Sequence, residues 1–254
     1  MKADIDWHSR FSQQAEWTQD LRHYLFDSVK LQPGSKILEV GCGTGAILGD
    51  IPDGPKYKIH GVDIDGNMIA QATRNVPSML LSRGDAHDLP YPSGVFEITY
   101  CHFLLLWVTS PLRVLKEMKR VARPGGVVMV MAEPDYHKRI DEPKSLVELG
   151  NLQTRSLQKQ GADVGLGSRL TNLFTEAGIE ISESGQLERM KEPYAKTEEP
   201  SDEENDMEWR IMVSDVKETI TPDQMNKYEN LHREARESRT RMIHIPTSFA
   251  WGTV

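Results

Sequence analysis

Cysteine is nearly absent: the 254-residue chain has two, Cys42 and Cys101. Two isolated thiols with no partner at metal-ligand spacing make neither a disulfide framework nor a zinc site, so no metal is expected. Long apolar runs are missing as well. No stretch approaches the ~20 apolar residues of a membrane helix, and the opening segment, residues 1–10, lacks the apolar core of a signal peptide. A soluble, cytoplasmic protein that engages no membrane is therefore expected. Positive charge is also in short supply, with 30 Lys and Arg against 38 Asp and Glu and a formal net charge of −8. A phosphate backbone is gripped by Lys and Arg, so nucleic acid is not expected as a partner. The length suits one large α/β domain, with or without a smaller elaboration.

Glycine, by contrast, is concentrated where it matters. The apolar strand Lys36–Val40 runs into Gly41, Gly43 and Gly45, with Glu39 just before them. Glycines at such a turn let the backbone approach a ligand with no Cβ in the way, and a helix opened by the next segment would present free N–H groups to it. Asp63 closes the following apolar strand at about the separation where a carboxylate meets a ribose. The spacing Gly41-x-Gly43-x-x-Ala46 also satisfies the dinucleotide fingerprint, so at this point a nicotinamide cofactor stays open.

Along the chain, apolar residues from Trp7 to Val29 recur at helical steps, predicting one amphipathic helix ended by Pro33-Gly34. Strands are predicted at 36–40, 58–63, 79–82, 95–100 and 127–132, with helices at 44–51, 66–74 and 110–122 between them. This alternation argues for a parallel sheet covered on both faces. Further helices are predicted at about 143–160 and 168–177, the second capped by Ser168, and a strand at 179–184. Residues 198–208 form an acidic run of the kind that is usually solvated or mobile. A short helix is predicted after it, from Trp209 to Val216. Thr221-Pro222 then starts another, with Met225, Tyr228, Leu231 and Ala235 on one face and arginines on the others.

Four motifs together carry a resemblance. Glu39-Val-Gly-Cys-Gly-Thr-Gly45, Gly61-Val-Asp-Ile-Asp65 with Met68, Gly84-Asp-Ala86, and Leu115 to Gly126 ending in Arg-Pro-Gly-Gly occur in the order of the class I S-adenosylmethionine-dependent methyltransferases, which the chain resembles over roughly residues 10–185. The resemblance implies a Rossmann-like, seven-stranded, mostly parallel sheet, its last strand at 248–253 antiparallel beside 179–184. It implies a cofactor-binding domain of residues 1–188 and 248–254, with 189–247 inserted between strands 6 and 7. A structureless loop of that length would be unusual, so a helical cap is expected there.

The resemblance also implies site residues. Glu39 would orient the methionine end of S-adenosylmethionine beside the Gly41–Gly45 backbone, Asp63 would accept the ribose hydroxyls, and Asp85 and the Ala86 amide would meet the adenine edge between Ile64 and Met68. Cys42 and Cys101 would lie near the cleft or simply pack at strand ends. Phe11 and Trp17 either close over the cofactor or belong to the core. His102, after the fourth strand, is the candidate for acceptor contact or general base, unless local backbone holds it. Of Glu133, Asp135, Tyr136 and His137, one is expected to face the cleft. The expected activity is methyl transfer to a small-molecule acceptor, which needs alignment more than a fixed triad. The alternatives are a non-catalytic S-adenosylmethionine binder and an NAD-dependent oxidoreductase. The insertion would act either as a lid or as a homodimer surface.

Overall fold

The computed structural model describes residues 6–51, 54–187 and 202–254. Five strands succeed one another in the first half: β1 (Lys36–Val40), β2 (Lys58–Asp63), β3 (Leu80–Arg83), β4 (Phe96–Cys101) and β5 (Ala122–Pro134). A short strand β6 (Ile140–Glu142) follows, then β7 (Glu180–Gln186), β8 (Met242–His244) and β9 (Thr247–Thr253). The main sheet has the order β3-β2-β1-β4-β5-β9-β7, and β9 runs antiparallel to both of its neighbours. This is the expected seven-stranded, mostly parallel sheet.

Strand β5 explains how both faces become buried. Val127, Met129 and Met131 join one apolar cluster while Val128 and Val130 join the other. Side chains alternate across a strand, so a continuous apolar run fills two cores at once. One core is closed by helix α4 (Pro111–Val121) and α6 (Leu170–Glu176), through residues such as Leu115, Met118 and Phe174. The other is closed by α1 (Trp7–Trp17), α2 (Gln19–Ser28) and α3 (Gly66–Asn75), through Ala15, Leu25, Phe26 and Ala72.

Several local expectations need correction. The single N-terminal helix is two, broken at Thr18 (φ −112°, ψ 7°). No α-helix spans 44–51: turns lead to a 3-10 turn at Leu48–Asp50. Gly41, Gly43 and Gly45 all have positive φ (76°, 50° and 81°), which a right-handed helix cannot include. Nor does Ser168 cap a helix. A 3-10 turn, Leu166–Arg169, precedes α6, and the Ser168 hydroxyl is drawn instead to the Asp135 carboxylate.

The start of the expected insertion, residues 189–201, lies outside the described residues. Beyond it come α7 (Asp202–Val216) and α8 (Pro222–Glu237). The later part of the acidic run therefore continues into a helix. Helix α8 starts as the sequence predicts, with a capping box between Thr221 and Gln224. Met212, Val216, Tyr228 and Ala235 pack on Leu146 and Leu149, so these helices cover α5 (Val147–Lys159) and the turn before it. A two-stranded ribbon of β6 and β8, absent from the sequence reading, ties the end of this segment back to the chain after β5. Under it Asp141 is held between Arg139 and Arg241, all three almost fully buried. Gly150 makes this possible, since a Cβ there would run into the Asp141 carboxylate.

Candidate functional site

The site forms at the carboxyl ends of β1, β2 and β4, where chain direction in a parallel sheet leaves a crevice. The Gly41 and Cys42 amides both donate to the Val62 carbonyl, at 2.8 and 3.0 Å, which folds the glycine loop back toward β2. There the Gly43 amide donates to Asp63 Oδ2 at 2.8 Å and the Asp65 amide to Oδ1 at 2.9 Å. Each carboxylate oxygen is thus pinned by one N–H and keeps acceptor capacity for another donor. Beside Asp63 the Ile64 side chain is 63% exposed, an apolar surface with no core to cover it.

Across the loop, α1 comes down on the glycines. A Cβ on Gly43 would stand 3.2 Å from the Phe11 ring. His8 Nδ1 lies 2.9 Å from Thr44 Oγ1, and Asn75 donates to both His8 Nδ1 and the Thr44 carbonyl. The Asn75 Nδ2 group can only donate, so His8 Nδ1 is the acceptor in this contact. The loop after β4 approaches from the other side: a Cβ on Gly41 would stand 2.7 Å from Leu104 Cδ1.

Three ionisable groups lie beneath this surface, two of them buried. Glu39 is 2% exposed and accepts from the Tyr100 hydroxyl at 3.1 Å. Burial pushes its carboxyl up to about 8, against the pull of that hydroxyl and of the Arg22 guanidinium. Glu133, fully buried at the end of β5, accepts from the amides of Leu104, Leu105 and Leu106. It fixes the loop in which Phe103 takes a positive φ of 50°. Burial pushes this carboxyl also up to about 8, opposed by the three N–H donors. His102, half-buried, has Nε2 2.8 Å from the Thr18 hydroxyl, which in turn accepts from Arg22 Nη1 at 2.7 Å. Desolvation first, and the Arg22 charge second, lower its pKa to about 3, so the ring is neutral across the ordinary pH range.

Comparison with known proteins accords with this geometry. A family profile described as "Methyltransferase domain" matches residues 38–130, the span from β1 through β5. A demethylmenaquinone methyltransferase of Lysinibacillus sphaericus is 29% identical over 188 residues, covering 67% of this chain and 79% of that protein. Residues 38–130 are those of a methyltransferase domain, and the fold is one that S-adenosylmethionine-dependent methyltransferases share. An uncharacterized transposon protein of Streptomyces fradiae is 32% identical over 164 residues, 62% of this chain, and the chain spans only 47% of that relative's length. A Haemonchus contortus phosphoethanolamine N-methyltransferase solved with S-adenosyl-L-methionine shares the fold, with a TM-score of 0.58 at 16% identity, over 93% of this chain and 52% of that one.

Within this methyltransferase fold the structure brings Gly41, Gly43, Asp63, Ile64, Phe11 and Leu104 to one crevice. Met68 and Ala86 are half-buried, and Asp85 is exposed. Gly45 faces away, packed against Val76. Cys42 and Cys101 are buried in opposite cores, and burial raises both thiols. The side chain of Trp17 lies outside what is described. Among the four residues after β5, Glu133 holds a loop, Asp135 accepts from the His137 amide and from Ser168, and His137 is exposed. Tyr136 is half-buried, within electrostatic reach of Arg10, Arg139 and Asp215. Sequence reasoning missed Thr18, Arg22 and His8. The only trace of Thr18 is a polar residue within an otherwise amphipathic pattern, and Arg22 reads as an ordinary helix surface.

Proposed function

We propose that the chain transfers a methyl group from S-adenosylmethionine to a small-molecule acceptor. The observation that carries this is the Asp63 carboxylate, pinned by the Gly43 and Asp65 amides with acceptor capacity left over, beside the exposed Ile64. That arrangement suits a ribose diol followed by an adenine face. The cofactor supplies a carbon already activated by a positive sulfur, so the protein has mainly to align and dehydrate.

Glu39 would hold the cationic methionine end, the arriving cation offsetting the burial that otherwise keeps its carboxyl protonated. Gly41 and Gly43 give the backbone room, Ile64 and Met68 flank the adenine, and Asp85 and Ala86 meet its edge. Phe11, with Trp17 on the same helix, would close the crevice, while Cys42 and Cys101 back it. His102 would contact the acceptor as a neutral imidazole. Its low pKa favours a hydrogen-bonding role over that of a strong base. Residues 189–247 would cap the acceptor side. Supporting this, Arg10 of α1 lies within electrostatic reach of Tyr136 after β5 and of Glu208 and Asp215 of α7.

The name of the Lysinibacillus relative supplies the first acceptor to assay, a demethylmenaquinone. The test is transfer of labelled methyl from S-adenosylmethionine to that compound and to a panel of small phenols, amines and thiols. Turnover of any one supports the reading; cofactor binding with no transfer to any would favour a non-catalytic binder.

A further inference from the structure

Asp85 stands on an exposed bend after β3, its side chain half in solvent. Such a carboxylate would ordinarily sample several rotamers and present either oxygen. Here His87 restrains it twice: the His87 amide donates to Oδ1 at 2.9 Å and the ring Nδ1 lies 2.7 Å from the same oxygen. Among the described residues no hydrogen bond falls on Oδ2.

The ring itself is fixed from behind. The Ser110 amide, just before α4, points at His87 Nε2 at 3.2 Å, and the Thr109 hydroxyl is 3.3 Å from it. A backbone N–H can only donate, so Nε2 is an acceptor and Nδ1 is the ring's donor, directed at Asp85. Oδ1 is therefore taken up by the protein, while Oδ2 is aimed and available. We propose that His87 is a positioning residue of the adenine site, which by occupying Oδ1 of Asp85 presents Oδ2 to the exocyclic amino group and makes the site select adenine over hypoxanthine. A carbonyl at that ring position would set one acceptor against another. This inference rests on reading Asp85 as the residue at the adenine edge.

The experiment compares dissociation constants for S-adenosylhomocysteine and S-inosylhomocysteine by calorimetry, so no methyl acceptor is needed. Wild type, Asp85→Ala, His87→Ala and His87→Asn are measured, each checked for an unchanged melting transition. Wild type should prefer the adenosyl ligand, and Asp85→Ala should abolish that preference. His87→Ala should reduce it about tenfold, the effect of losing one charge-assisted bond. His87→Asn, whose amide can still donate to Oδ1, should restore much of it. If Asp85→Ala loses the preference and His87→Ala keeps it, the positioning role is wrong and the adenine-edge reading stands. Equal weakening of both ligands by His87→Ala would reduce His87 to a structural part. A preference that survives Asp85→Ala would overturn both readings.

Discussion

Replacing Glu39 by Gln should flatten the pH dependence of stability, and the reason lies in one buried carboxyl. Glu39, one residue before the end of β1, is 2% exposed, and burial raises its pKa from 4.5 to about 8 in the folded protein. A carboxyl raised on folding contributes stability that is complete below the unfolded pKa and is lost as pH rises through the folded one. The rise corresponds to about 5 kcal/mol lost between pH ~4.5 and pH ~8, an upper figure because the interior relaxes around an ionised group. Glutamine keeps an oxygen for the Tyr100 hydroxyl but cannot ionise. Urea unfolding of both proteins across this window, without cofactor, should give curves that diverge as pH rises, with the variant the more stable of the two at pH 8. Glu133 also has a raised pKa, but it is present in both proteins and cancels in the difference. Parallel curves would show that Glu39 does not change ionisation in this range and would refute the electrostatic account of the site.

Other expectations follow from the same contacts. Asp63→Ala removes the acceptor of the Gly43 and Asp65 amides and the proposed ribose contact, and should weaken S-adenosylmethionine binding by roughly ten- to a hundredfold, from charge-assisted bonds of ~1.5–3 kcal/mol, as measured by calorimetry. His102→Ala should lower turnover at saturating cofactor while leaving cofactor affinity nearly intact; equal loss of both would mark the residue as structural. Asp141→Asn leaves the Arg139 and Arg241 guanidinium groups buried without their shared anion, and should cost ~3–5 kcal/mol in chemical denaturation. Hydrogen exchange in that variant should quicken first in β6 and β8, and uniform quickening would argue against a local role.

Much of this was legible in the residues. The apolar run of β5 announced a strand buried on both faces, and Thr221-Pro222 announced the start of α8, because strand alternation and helix capping are local rules. The glycines and Asp63 were legible for a similar reason, since backbone room and a strand-end carboxylate are written in residue type and spacing. What escaped were contacts between distant segments. Thr18 meets His102 across 84 positions, and Glu133 binds amides 27 to 29 positions earlier. Neither sequence neighbourhood hints at its partner. The helix expected at 44–51 failed for an instructive reason. Gly45, which takes positive φ within that span, cannot be part of a right-handed helix.

The most direct test of the central claim is calorimetric titration of the full chain with S-adenosylmethionine and, separately, with NAD. The geometry around Asp63 and Glu39 predicts saturable one-to-one binding of S-adenosylmethionine that Asp63→Ala weakens at least tenfold, with NAD bound far more weakly. Tight binding of NAD in place of S-adenosylmethionine, or S-adenosylmethionine binding indifferent to Asp63, would contradict the account.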